Sequence, residues 1–575
     1  MGIRTIRPWS HGCPVASASR VIAVADVWRR VREPVIVLVI TIAVALVSQR
    51  WAGLDTPDSS FYASLSLWGS EITDRAPVDS YYWTRLGYIA PVSALTSLLG
   101  TWAGFEAYRV LLLLAFVTST YVILRRFTAI ASATFLTAIL SLSTVVLSYL
   151  GNSYLTGSVL AGTAAVIATA LFRGPRAAIL AGALLGWLVM VNPPGAILAG
   201  VLWLAVRIHG RIRLLEVLAT AISTVIVFAG FWAIGLVMFP GMSWFGAYVD
   251  SDARTRLSDF ASKELVWLGD ISLIVPVAIL ITVVIVWITH RSERPAQVAL
   301  IVSLSSVAFM LVFNPLMGGI ALEAPMYQAM LWPPALIALG IATTLALPDT
   351  GWTKLQVASG AVAIAVVLAA GFVAPGLALW VGWLVAVVAF SVFLFAGYKR
   401  TIGAVLGLAL ALAASQLLQN SRGDIGLYYL SPYQWAYAAN PVQDRIRTAV
   451  NAQEWLLANS TRDDQILSWV GGDWVGGDRE LYVVAGMQLW GENRVTLEPV
   501  ITPDDETRLE TIRPTMLAMY APSMPLLLQF WESIPQRLRP TAPTCYDFAW
   551  QPNPASSFDY TQGHACLTTL DWSTQ

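Results

Sequence analysis

Apolar stretches of about 16 to 24 residues recur from residue 34 to residue 418, and the longer ones match the hydrocarbon thickness of a bilayer. Buried in hydrocarbon, a backbone must satisfy its own hydrogen bonds, so runs of this kind can only be helices. Charged residues make up 12% of the chain, about half of what a soluble protein carries. The mean hydropathy is +0.64 and the formal net charge is zero. A balanced charge gives no electrostatic footing for nucleic acid, and none is expected as a partner. The chain is a polytopic α-helical membrane protein.

Hydropathy and the loops between the apolar runs place spans at 34–49, 108–124, 131–150, 156–172, 177–191, 195–206, 214–239, 271–289, 296–316, 332–347, 355–373, 376–396 and 402–418. The pair flanking Asn192-Pro193-Pro194-Gly195 is short enough for a kinked or re-entrant hairpin. An odd count of about thirteen helices puts the two termini on opposite sides. Basic residues fix which is which. Arg125, Arg126, Arg173, Arg176, Arg207, Arg211, Arg213, Arg291, Arg294, Lys354, Lys399 and Arg400 fall in alternate short turns, whereas 151–155, 192–195 and 317–331 carry none. By the positive-inside rule the N-terminus is cytoplasmic. Residues 1–33 read as a poorly ordered cytoplasmic basic leader, 34–419 as the transmembrane domain, and 420–575 as an extracytoplasmic soluble domain.

The tail mixes charges, turn residues and short apolar blocks. Its pattern predicts a helix over 441–459 and strands over 465–470 and 516–520, an α/β domain. Cys545 and Cys566 both lie here, and a bridge between them suits an oxidising compartment. Trp469, Trp474, Trp490, Trp531 and Trp550 fit either a buried core or sugar stacking. The glycine-rich 471–477 turn lacks the Lys-Ser or Lys-Thr of a phosphate loop.

Within the placed spans no Asp, Glu, Lys or Arg sits mid-helix, with Arg109 and Glu216 at helix mouths. Ion-coupled transport needs such groups as relays. Chemistry is therefore expected at the outer face, in the loop 52–107.

That loop opens with Asp55-Thr56-Pro57-Asp58. Phe61, Leu65, Trp68 and Ile72 then form one apolar stripe, so a surface helix follows, capped by Thr56 with Pro57 at its first position. The helix dipole keeps Asp58 ionised in the first turn, which suits a base taking a proton from an acceptor hydroxyl. The same position equally suits an acid that only stabilises the helix start. Tyr81-Tyr82-Trp83-Thr84-Arg85 closes the loop. Arg85 reads as a phosphate clamp, as a solvated loop residue, or as a partner for Glu71 or Asp79. Arg109 reads as structural, with Glu106 three residues before it on the same helix face.

Asp58 with Tyr62, the aromatic-basic segment through Arg85 to Pro91, Leu99-Gly100, Glu106 to Arg109, and Tyr327 to Pro334 together resemble the C-superfamily membrane glycosyltransferases. The branch is similar to the protein mannosyltransferases and lipid A aminoarabinose transferases. The resemblance implies inverting transfer of a sugar from a polyprenyl-phosphate donor to an envelope glycan, lipid or protein at the outer face of a bacterial plasma membrane. It implies Asp58, Asp55 and Glu71 as catalytic acids. Arg85, Tyr62, Tyr82, Asn152 and Tyr327 would bind substrate. That branch commonly shows Asp-Glu where this chain has Asp58-Ser59, and an acid where it has Asn152. Both departures remove ligands a hard cation would want, so no metal and no cofactor are expected. Asp250-Ser251-Asp252 with Arg254, Arg256 and Lys263 reads as a solvated surface helix or a basic lid. A lipid-linked sugar transporter and a non-catalytic envelope protein are the alternative classes.

Overall fold

The computed structural model describes residues 16–47, 82–143, 155–240, 271–316 and 330–345 of the apolar region and most of 62–69; in the tail it describes 464–470, 494–497, 513–549 and 562–573, with single exceptions. The expected spans at 355–373, 376–396 and 402–418, and most of the expected 441–459 helix, lie outside the described residues. So does the segment from Asp250 to Lys263.

Eleven helices are described before the tail. They are α1 (Ala16–Val47), α2 (Leu86–Leu99), α3 (Thr101–Arg125), α4 (Ile130–Ser141), α5 (Thr156–Ala170), α6 (Pro175–Val191), α7 (Pro193–His209), α8 (Leu214–Met238), α9 (Ile271–Thr289), α10 (Arg294–Leu316) and α11 (Trp332–Thr344). Among the described residues, three helices are long and apolar enough to cross a membrane by themselves: 103–125, α8 and α10. The 17 residues of α6 or of α7 reach about 26 Å at 1.5 Å per residue, just short of a bilayer core. Asn192 separates these two as independent helices. Its backbone is extended and its side chain accepts from Gly195 N at 2.9 Å, capping the second helix.

The bundle is built around α5 and α11. Every residue of α11 and all but Ala165 of α5 are buried. By contrast α8 turns Ile222, Val225, Ile226 and Val237 outward, the last 81% exposed, as a helix does when hydrocarbon is its solvent. Its inner side is fastened to α6 by small residues. A Cβ on Gly182 would fall 2.2 Å from Thr220 O, and one on Gly186 would fall 2.5 Å from Thr224 O. The backbones touch because both positions lack side chains, and Ser223 Oγ then donates to Ile179 O at 2.8 Å.

Three boundaries differ from the sequence expectation. Helix α1 begins at Ala16, so the leader is not wholly disordered, because a hydropathy window does not register the helical run ahead of the apolar one. The expected span at 131–150 is interrupted after Ser141, where Ser143 Oγ bonds back to Leu140 O at 2.8 Å and competes with the helix ladder. Helix α2 occupies what read as loop. It spans roughly 21 Å, too short to cross, and folds back on α3 through Gly100 at φ +84°. Helix α3 consequently starts at Thr101, and Arg109 lies well inside it.

The helix ends sort into two faces. At one, Arg125 pairs with Glu33 at 3.4 Å, and Arg126 sits 5.9 Å over the Phe172 ring. Arg173 Nη2 donates to Gly210 O at 2.7 Å and His209 Nε2 lies 3.0 Å from Gln297 Oε1. A buried ion pair of Arg207 and Glu216 joins the same turns, with Gly174 N donating to Glu216 at 2.8 Å. The described turns expected to share a side, at 125–126, 173–176, 207–213 and 291–294, do share one; those at Lys354 and Lys399 lie outside the described residues. The other face holds the starts of α2, α3 and α5 and the ends of α6 and α8.

The tail carries a five-stranded sheet in the order β2-β1-β3-β5-β4, from β1 (Gln465–Val470), β2 (Arg494–Leu497), β3 (Met516–Ala521), β4 (Thr544–Ala549) and β5 (Gln562–Thr569). Strand β1 runs parallel to β2 and β3, whereas β5 runs antiparallel to β3 and β4. Helix α12 (Met524–Ser533) packs on β3 and β5 and buries Leu527, Phe530 and Trp531 against Leu517 and Met519. Trp469 stacks on Phe530 with centroids 3.8 Å apart. Trp469 and Trp531 are thus core residues; Trp474, Trp490 and Trp550 lie outside the described residues. Cys545 and Cys566 face each other across β4 and β5 and are bonded.

Candidate active site

The loop 52–107 closes onto the bundle at Tyr82–Thr84, a single 3₁₀ turn leading into α2. Thr84, Arg85, Leu86, Gly87, Tyr88 and Ile89 are all buried, and Tyr82 and Trp83 are half-buried. Arg85 is 3% exposed, which removes the reading of a solvated loop arginine. Its carbonyl accepts from Tyr88 N at 2.9 Å and Ile89 N at 3.0 Å, so the residue is the backbone start of α2.

Neighbouring helices hold this start in place. Trp187 Nε1 on α6 donates to Gly87 O at 2.8 Å, and Trp83 stacks on Phe239 at the end of α8 with centroids 5.8 Å apart. A Cβ on Gly87 would meet Trp187 O at 2.8 Å. Any larger residue there would push α2, and Arg85 with it, off α6.

Tyr62, Tyr82 and Arg85 are brought into one neighbourhood. The Tyr62 ring meets Tyr82 edge-on at 5.4 Å and Tyr88 at 6.1 Å. Tyr88 in turn meets Tyr108 edge-on at 5.4 Å. Tyr62 is fully buried and its carbonyl accepts from Ser66 Oγ at 2.7 Å, so the expected surface helix has turned its aromatic into the bundle. Leu65 of the expected stripe is buried too; Phe61, Trp68 and Ile72 are outside the described residues. Tyr88, Tyr108 and Trp187 do not stand out in the sequence. Tyr88 sits one helical turn beyond Arg85, but that spacing carries meaning only once α2 is known to be a helix.

Arg109 is bound to Glu106 in an ion pair and also donates to Ala45 O at 3.4 Å, tying α3 to α1. Its structural role is what the three-residue spacing suggested. Asp55, Asp58, Glu71, Asn152 and Tyr327 lie outside the described residues. Among the described residues no three His, Cys, Asp or Glu side chains gather as a metal site would need.

What the arrangement offers is a buried guanidinium in an aromatic setting at the close of a loop rich in carboxylates. Low dielectric strengthens the interactions of a charge placed there.

At the level of the fold the chain is similar to ArnT from Cupriavidus metallidurans bound to undecaprenyl phosphate. The TM-score is 0.53 at 14% identity, over 94% of this chain and 98% of that one. Weaker likenesses are to the arabinofuranosyltransferase AftD from Mycobacteria and to the oligosaccharyltransferase AglB from Archaeoglobus fulgidus. The first has a TM-score of 0.45 at 14% identity over 92% of this chain and 39% of that one. The second has a TM-score of 0.41 at 9% identity over 86% and 70%. Neither a protein-family model nor a curated protein matches by sequence. The chain thus shares its fold with that ArnT structure.

Proposed function

We propose that this chain, folded as a C-superfamily membrane glycosyltransferase, moves a sugar with inversion from a polyprenyl-phosphate donor to an acceptor of the cell envelope. The burial of Arg85 at the close of the outer loop carries the reading. A guanidinium at that place can stabilise negative charge that develops beside it, and a lipid phosphate is the anion that reaches a membrane enzyme from within the bilayer. The fold likeness to ArnT bound to undecaprenyl phosphate supports a donor of that class.

In this reading the acceptor hydroxyl gives its proton to Asp58, with Asp55 and Glu71 as the other acids of the loop. The oxygen attacks the anomeric carbon as the bond from that carbon to the phosphate oxygen breaks. The electron pair leaves on the lipid phosphate, and Arg85 stabilises it as it develops. Tyr62 and Tyr82 shape the sugar side, and Asn152 and Tyr327 complete the donor site. The chemistry needs no redox group or cofactor, and we assign none. The gathering of the basic turns on one face supports a cytoplasmic N-terminus in a bacterial plasma membrane. The Cys545–Cys566 bridge supports a tail outside the cytoplasm.

The test is transfer from a polyprenyl-phosphate sugar by purified Asp58→Asn. Asparagine keeps the shape and capping capacity but cannot take the proton, and a positioned base is worth roughly 10²–10⁴-fold. A rate near wild type would show that Asp58 only begins the helix, and Asp55 would be tested next. Loss of turnover with an unchanged melting profile separates an enzyme from a scaffold protein.

A further inference from the structure

The face of the bundle opposite the candidate site is an arginine field with few acids. Arg126, Arg173, Arg176, Arg211, Arg213, Arg291 and Arg294 are exposed on four turns. Of the acids on this face, Glu33 is engaged by Arg125 and Glu216 by Arg207. Among the described residues of these turns that leaves Glu293 beside the exposed seven.

Three of the seven come from different turns and converge. Arg294 opens α10, and Gln297 three residues on lies 3.0 Å from His209, next to the Gly210 carbonyl that Arg173 binds. Arg173 is anchored by its bond to Gly210 O at 2.7 Å, and Arg126 rests on the Phe172 ring at 5.9 Å. Like charges drawn together by the fold are costly unless an anion lies among them. The adjoining turn shows a related cost. Arg211 sits at φ +63°, in the left-handed region where glycine would be relaxed, yet the position keeps a cationic side chain.

The surroundings identify the source of the anion. Phe172 is 42% exposed, and Leu214 and Leu215 are 74% and 77% exposed next to Arg213. Charged and greasy surface alternate along one rim, which fits a ligand that is anionic at one end and hydrocarbon at the other. Planar guanidinium groups match a phosphodiester through paired hydrogen bonds.

We propose that Arg126, Arg173 and Arg294 hold the headgroup of an anionic diacyl phospholipid, with its acyl chains against Phe172 and the start of α8. This site is separate from the outer loop and does not depend on the transferase reading.

Native mass spectrometry of the full chain in detergent, with dioleoylphosphatidylglycerol or dioleoylphosphatidylcholine added, tests it. The wild type is expected to retain the anionic lipid in preference to the zwitterionic one. Replacing Arg126, Arg173 and Arg294 by Gln is expected to lower that retention roughly fivefold per arginine removed. Changing Arg537 and Arg539 in the tail to Gln is the control and should leave it intact. Were the triple variant to misfold, Arg294→Gln alone, at an exposed helix start, must still show its share of the loss. An unchanged preference in these variants, or an equal loss in the tail control, overturns the site. Displacement of the lipid by inorganic phosphate would equally overturn it in favour of a free-phosphate site.

Discussion

Tyr108 Oη lies 2.9 Å from Ser158 Oγ, joining the second turn of α3 to the start of the buried α5. Edge-on contacts run outward from Tyr108 through Tyr88 and Tyr62 to Tyr82. The close of the 52–107 loop is therefore referenced to the centre of the bundle by a continuous chain of aromatic rings. The position of Arg85 at the head of α2 depends on that chain.

The hydroxyl pair can be tested directly. Tyr108→Phe or Ser158→Ala alone is expected to cost about 1 kcal/mol, because each leaves its buried partner without this bond. The double variant should cost no more than the worse single one, since both polar groups then leave together. Thermal unfolding in detergent measures all three. Strictly additive losses would mean that the two hydroxyls share no bond.

Contact between α6 and α8 makes a sharper prediction. Gly182→Ala places a methyl against the Thr220 carbonyl, a backbone atom that cannot rotate away. The expected cost is about 1–3 kcal/mol. Gly230 lies on the same helix as Thr220, but a Cβ there would meet nothing within 4 Å, so Gly230→Ala should be neutral or slightly stabilising. Equal melting temperatures for the two variants would contradict the close packing.

Much of the bundle is legible in the sequence because hydropathy records the length of a buried apolar run. The helices α5 to α10 begin and end within a few residues of the hydropathy limits. The tail strands at Gln465–Val470 and Met516–Ala521 are legible for a similar reason, being short apolar runs between turn residues. Helix α2 is not. Its apolar sequence includes Pro91 and follows an aromatic cluster, so locally it looks like a loop, and its stability comes from packing on α3, α6 and α8. In the site, Tyr62, Tyr82 and Arg85 are legible as residue types, but Tyr88, Tyr108 and Trp187 act through positions fixed only by tertiary contacts. The pairing of Arg109 with Glu106 is legible since both lie on one helix turn. That of Arg207 with Glu216 crosses a turn between two helices, and local spacing does not reveal it.

The tail bridge has a compartment and an energy. Cys545 and Cys566 are 21 residues apart in sequence, and closing a loop of that size is worth about 3 kcal/mol by constraining the unfolded chain. Both cysteines should resist thiol labelling on intact cells until a reductant is added. Reduction, or Cys545→Ser with Cys566→Ser, should lower tail stability on that scale without changing the spectrum of the helical region. Free labelling before reduction would remove the bridge.

Two buried arginines near the same face should behave differently when changed. Arg85 is 3% exposed at the close of the 52–107 loop, and Arg109 is 2% exposed inside α3. Arg109 is held by Glu106, whose side chain is 36% exposed and can be rehydrated once its partner is gone. Arg109→Gln should therefore cost less than the roughly 3–5 kcal/mol expected for breaking a fully buried pair, and turnover per folded molecule should survive. Arg85, if it meets the departing phosphate, is needed most when negative charge develops there. Its replacement by Gln should lower kcat roughly 10²–10³-fold, the loss seen for a single positioned donor at a developing anion. Arg85→Lys should recover part of that rate by restoring the charge without the planar geometry. Measuring kcat, KM for the donor and the melting temperature on the three variants separates the roles. A stability loss for Arg85→Gln with unchanged kcat would reassign that residue to the structural role expected of Arg109.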